Sequence, residues 1–181
     1  RKVAADMATT CVRALNQGIT VLTDFNPETA KQVQKEEDKT DHLEDILGTY
    51  LVKLSTRRIS ADDSNEAARL LKIIGDFERI ADHAVNLVHS SEELQQKKME
   101  LSAPALAELK VLTNAVSEIL SLSLDAFLKD DLQSAVMVEP LEQVIDGLKE
   151  QLRTNHILRL QKEQCSIEAG FVWSDMLTDL E

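Results

Sequence analysis

Met7, Cys11, Leu15, Ile19 and Leu22 recur at steps of three and four residues along a stretch free of proline. At about 100° per residue this spacing gathers five apolar side chains into one stripe of an α-helix. A strand would interleave them with Thr9, Arg13 and Gln17 on the same face, which no core could accept. The rest of the chain obeys the same rule. Only 3 prolines and 5 glycines interrupt 181 residues, and aromatics make up just 3%. Leu, Ala, Glu, Lys and Gln fill the remainder, the composition of long helices. An all-α fold follows.

The punctuation divides the chain into six helical segments. The first runs from Lys2 to about Asp24. Asn26–Pro27 reads as an N-cap followed by proline at the first helical position, and opens a second segment lasting to about Thr56. The polar cluster Ser60 to Asn65 opens a third, to Ser91 or beyond. Ser102 and Pro104 start a fourth that reaches about Leu128, a fifth spans Asp130 to about Gln161, and a sixth runs from about Ile167 to the end. Pro140 inside the fifth predicts a kink or a late start. The polar, lysine-rich stretch from Ser90 to Ala103 marks an internal boundary. It gives two three-helix repeats, 1–95 and 96–181, the second shortened at its C-terminal end.

Particular residues repeat along with the segments. A shift of 105 positions lays Ala30, Val33, Glu37, Asp41, Leu43 and Leu47 on Ala135, Val138, Glu142, Asp146, Leu148 and Leu152. A shift of 103 lays Ile74, Asp76 and Glu78 on Leu177, Asp179 and Glu181. Two close shifts in the same order indicate a duplication with a small length difference.

Charge narrows the function classes. With 32 acids against 20 bases the formal charge is −12, a field that repels phosphate backbones and argues against nucleic acid as a partner. The basic pairs Arg57–Arg58 and Lys97–Lys98 read as solvated surface. Cys11 and Cys165 match no metal or redox spacing and read as small buried apolar residues in a reducing compartment. No apolar run is read as approaching the ~20 residues that cross a bilayer, and no secretory signal is present. A start at Arg1 and a stop at Glu181, inside what looks like an unfinished helix, suggest an excerpt of a longer protein.

The acids are arranged in stripes. On the third helix Leu70, Ile74, Phe77, Ala81, Ala84 and Val88 form the core sector, with Glu78 and Asp82 on its flank between Leu71 and Val85. Lys72, Arg79 and His83 are assigned to the solvated face. On the second, Val33, Leu43, Leu47, Leu51 and Leu54 form the apolar stripe and Glu37, Asp41 and Glu44 run along its edge. Like charges at i, i+4 destabilise a helix by about 0.2–0.5 kcal/mol per pair, and partial burial adds to the cost. A bound cation would remove that cost. Carboxylates from two facing helices make a hard-oxygen site suited to Mg, Mn, Ca or iron. The competing reading is a plain solvated acidic face.

The run Ile74-Gly75-Asp76-Phe77-Glu78-Arg79-Ile80-Ala81-Asp82-His83-Ala84-Val85-Asn86 resembles the PhoU family signature, and Glu37-x-x-x-Asp41 is similar to that family's second acid pair. The resemblance implies two tandem three-helix bundles, each with an acid cluster binding a multinuclear metal centre. By it, Glu37, Asp41, Glu78 and Asp82 become ligands in the first bundle, with Asn86 in support. In the second bundle Glu142, Asp146 and Glu181 are the matching candidates. Lys149 stands where Glu44 would predict an acid, and the arginine and aspartate expected after Glu181 fall outside the sequence. The metal is left open among Mg, Mn, Fe, Zn and Ca.

The segments Cys165 to Phe171 and Ser174 to Glu181 resemble the C-terminal PhoU-like region of bacterial Na+/phosphate cotransporters. That resemblance implies a cytoplasmic regulatory domain at the inner face of the cell membrane. Its partner would be the transport domain of the same polypeptide or a separate phosphate transporter, with phosphate reaching it through metal and a homodimer left open. The alternative is a freestanding PhoU-type regulator of phosphate transport and signalling. An enzyme is not expected. A di-metal hydrolase or oxidase would want histidine ligands, and no Glu-x-x-His pair occurs. A ligand-free helical scaffold is the remaining option. His42 and His83 read as surface residues, His89 and His156 as unpartnered, and Tyr50 and Trp173 as core or interface.

Overall fold

Every residue except Arg58 is described by the structure, a computed structural model. Arg57 is exposed, as expected of that basic pair, and Arg58 lies outside the described residues. The order is α1 (Lys2–Thr23), α2 (Pro27–Ser55), α3 (Ala61–Gln96), α4 (Ala103–Lys129), α5 (Leu132–Gln161) and α6 (Ile167–Asp179), with no strand among the described residues.

The helix starts follow their caps. Asn26 Oδ1 accepts from the backbone N–H of Glu28 and Thr29, with Pro27 beginning α2. Ser60, Ser102, Asp131 and Ser166 cap α3, α4, α5 and α6 in the same way. Each such cap contributes about 1 kcal/mol. α5 runs as one helix from Leu132 through Pro140, so the late start that Pro140 suggested does not occur. Proline deprives the Val136 carbonyl of its helical donor. Val136 is 72% exposed, so water can supply the replacement.

α1, α2 and α3 all pack on one another, and α4 packs on α5 and α1. α6 lies against both α3 and α5, which ties the two repeats together. The larger core runs through both, from Leu15, Val21 and Val33 to Leu109, Leu112, Trp173 and Met176. A smaller one, around Met7, Leu51 and Ile74, closes the far end of the first repeat. α1 approaches α3 tightly at Gly18, where a Cβ would stand 2.8 Å from the Ala84 carbonyl oxygen. Glycine there is a packing requirement.

α4 corrects one expectation. It is long and apolar enough to span a membrane, with a mean hydropathy of 1.4 over 18 residues. In this fold it buries one stripe, Ala105, Leu109, Leu112, Val116 and Leu120, while Leu106, Val111 and Leu128 stay exposed. Of the two residues assigned to core or interface, Trp173 is fully buried in the core, whereas Tyr50 is 61% exposed and lies outside it.

Candidate metal-binding acidic edge

α2 buries Val33, Glu36 and Thr40 and packs along α3. One step round from that stripe Glu37 and Glu44 are half-buried, and Asp41 is exposed. On α3 Glu78 is half-buried beside the buried Ala81, while Asp82 is exposed. The two acid rows meet across the helix pair. The Glu78 carboxyl is pushed above its ordinary range, first by desolvation, then by Asp82 on its own helix and by Glu44 and Asp41 on α2. Glu37 is raised as well, by desolvation and then by Asp38, Asp82 and Asp41. Each helix's carboxylates therefore feel the other's, as the stripes implied. Among the described residues no Lys, Arg or His forms an ion pair with Glu37, Asp41, Glu44, Glu78 or Asp82. Glu37 has one neutral donor, Gln34 Nε2 at 2.7 Å.

The donor set is all oxygen, which fits a hard cation. The side chains do not close on a single point: among the described residues no three His, Cys, Asp or Glu groups stand close enough to hold one ion. Asn86, expected in support of this set, instead donates to Asp179 Oδ1 of α6 at 3.0 Å. His83 Nδ1 meets the same oxygen at 3.0 Å. His83 is thus half-buried between the repeats and not on the solvated face that helical angle assigned to it. α6 packs on α3 there, a contact that no single-helix projection contains.

The second-repeat candidates also come together. Glu142, Asp146 and Glu181 line one cleft of about 340 Å³ with Asp76, Arg79, His83 and Asp179. Here, however, Lys149 forms ion pairs with Asp146, at 3.7 Å, and with Glu181. The bond to Lys149 pulls the Glu181 carboxyl below its ordinary range.

Two polar features escaped the pattern reading. Glu36 is a buried carboxylate held by Arg13 at 2.9 Å and Gln32 at 3.0 Å, and its i+3 spacing from Val33 was the available signal. His156 is not unpartnered: it stacks on Trp173 with ring centroids 6.1 Å apart, and Cys165 Sγ lies 3.9 Å from its Nδ1. Cys165 is half-buried, while Cys11 is fully buried with its thiol pushed up to about 12 by desolvation. Both are free thiols.

Six packed helices, with carboxylates along the edge where α2 meets α3, define an acid-edged helical-bundle protein. The PhoU domain family model matches residues 4–90, and over that stretch the chain is similar to that family. A Thermotoga maritima relative, described as a phosphate-specific transport system accessory protein PhoU homolog 1, is 24% identical over 93% of this chain and 72% of its own length. A Zymomonas mobilis accessory protein PhoU homolog is 30% identical over 75% of this chain and 56% of its own length. The crystal structure of PhoU from Pseudomonas aeruginosa superposes with a TM-score of 0.91 at 19% identity, covering 99% of this chain and 86% of that one. This last likeness carries the fold alone.

Proposed function

We propose that this chain is a PhoU-type accessory regulator of phosphate transport, working as a non-enzymatic module at the cytoplasmic face of the membrane beside a phosphate transporter. The reading is supported by the match of the PhoU domain model to residues 4–90, a stretch that contains both acid rows, together with relatives described as accessory proteins of phosphate-specific transport. These descriptions favour the freestanding regulator over the cotransporter domain, which rests on the resemblance of residues 165–181 alone.

The mechanism follows from the unneutralised edge. Glu37, Asp41, Glu44, Glu78 and Asp82 repel one another across α2 and α3, and a divalent or trivalent cation would supply the missing positive charge. Binding would draw these side chains together and stiffen the helix pair, coupling cation occupancy to the shape the module offers a partner. Phosphate could then be recruited as a further ligand of the metal.

The test is complementation. In a bacterial strain deleted for its own PhoU protein, the chain should restore phosphate-dependent control of uptake. Glu78→Gln/Asp82→Asn should abolish that restoration while leaving the helical circular dichroism intact. Full activity of the double variant would remove the acidic edge from the mechanism, and failure of the unaltered chain would remove the regulatory reading.

A further inference from the structure

The duplication lays Asp41 on Asp146, Glu44 on Lys149 and Glu78 on Glu181. The fold turns that alignment into contact, because the one position that changed sign reaches the other two. Lys149 lies on α5 one turn from Asp146, and its ammonium pairs with both Asp146 and Glu181 at the end of α6. The lysine side chain is only 7% exposed, whereas its partners are 52% and 47% exposed. An ammonium is withdrawn from water only where carboxylates compensate it. At the equivalent edge of the first repeat, Glu37, Asp41, Glu44, Glu78 and Asp82 have no ion-pair partner among the described residues.

We propose that Lys149 is a built-in counter-ion occupying the place a metal would take in the second repeat, so that this repeat needs no external cation and metal binding is confined to the α2–α3 edge. The confinement rests on the function proposed above; the role of Lys149 does not. A cation entering the second cleft meets the ammonium's repulsion and competes with it for Asp146 and Glu181. The sign of residue 149 therefore decides whether Asp146 and Glu181 are free to take a cation.

The experiment uses the full chain, Mn2+ as probe, and Glu78→Gln/Asp82→Asn as a background in which the first edge is silenced. In that background Mn2+ binding measured by calorimetry should be negligible. Adding Lys149→Glu, which restores the acid of the first repeat, should strengthen binding by on the order of tenfold or more, the range typical of changing a metal's immediate surroundings. Lys149→Met keeps the aliphatic stem and removes only the charge. It should lower the melting temperature, and Mn2+ should recover part of the loss, so it decides the matter even where the glutamate variant fails to fold. The proposal is overturned if the background already binds Mn2+ beside Asp146, or if Lys149→Met is as indifferent to Mn2+ as its parent. Should the unaltered chain bind no Mn2+ while the Lys149 variants gain it, the metal reading of the first edge fails and the counter-ion assignment stands.

Discussion

In the first repeat Glu78 faces Asp41, Glu44 and Asp82, and its carboxyl is pushed up. In the second repeat the aligned Glu181 meets Lys149, and its carboxyl is pulled down. Both acids are carried by the third helix of their repeat or by its immediate end, and both face the second helix. What differs is residue 44 against residue 149. One charge reversal turns a set of mutually repelling carboxylates, tolerable with an outside cation, into a set that is compensated internally. On the proposed function, two halves with the same acid spacing would divide between a cation-responsive edge and a self-sufficient one.

The comparison breaks most readily at the lysine. Asp146→Asn/Glu181→Gln removes both counter-charges of a largely covered ammonium and should cost about 1–3 kcal/mol in urea unfolding, below the loss for a fully buried pair because both acids are about half exposed. The aligned change in the first repeat, Asp41→Asn/Glu78→Gln, strands nothing. Equal losses from the two double variants would erase the distinction between the halves.

A medium effect is expected where the repeats join. Asp179→Ala removes the acceptor shared by His83 and Asn86 and should cost about 0.5–1.5 kcal/mol, the net worth of a typical hydrogen bond, because water reaches the half-buried His83 and the exposed Asn86. The same variant sharpens the comparison, because it should leave Mn2+ binding at the first edge unchanged.

Smaller effects separate the halves by sign. Without metal, Asp41→Asn/Glu78→Gln should raise stability by about 0.2–0.5 kcal/mol per relieved pair. The pH response should carry the same opposition. Glu37 and Glu78 are raised, so the folded chain takes up protons before the unfolded one as pH falls from neutral toward the ordinary glutamate range. Stability should therefore rise slightly through that window. Glu181 is lowered, so its contribution is present above the ordinary range and is lost as pH falls through its depressed value. Melting curves of Glu37→Gln/Glu78→Gln should lack the rise, and those of Glu181→Gln should lack the later fall.

Much of this was legible in the sequence because it is local. Met7, Cys11 and Leu15 mark the buried stripe of α1 by spacing alone, Asn26–Pro27 marks the start of α2, and the acid rows on α2 and α3 lie at the rim of their apolar stripes. What stayed hidden depends on how helices meet. His83 faces outward on a helical wheel and Asn86 continues the acid row, and only the docking of α6 gives them Asp179. His156 gains Trp173 and Cys165 through the turn between α5 and α6. α5 continues past Pro140 because Val136 faces water, and exposure is set by the neighbouring helices and not by α5 itself. Lys149 was visible as a departure from the repeat, but its pairing with Glu181 required the fold.

Anomalous scattering from crystals of the full chain grown with Mn2+ tests the central claim most directly. The account predicts a peak between α2 and α3 beside Glu37, Asp41, Glu78 and Asp82, and none beside Lys149. A peak against Asp146 and Glu181, or an empty α2–α3 groove at saturating Mn2+, would contradict it.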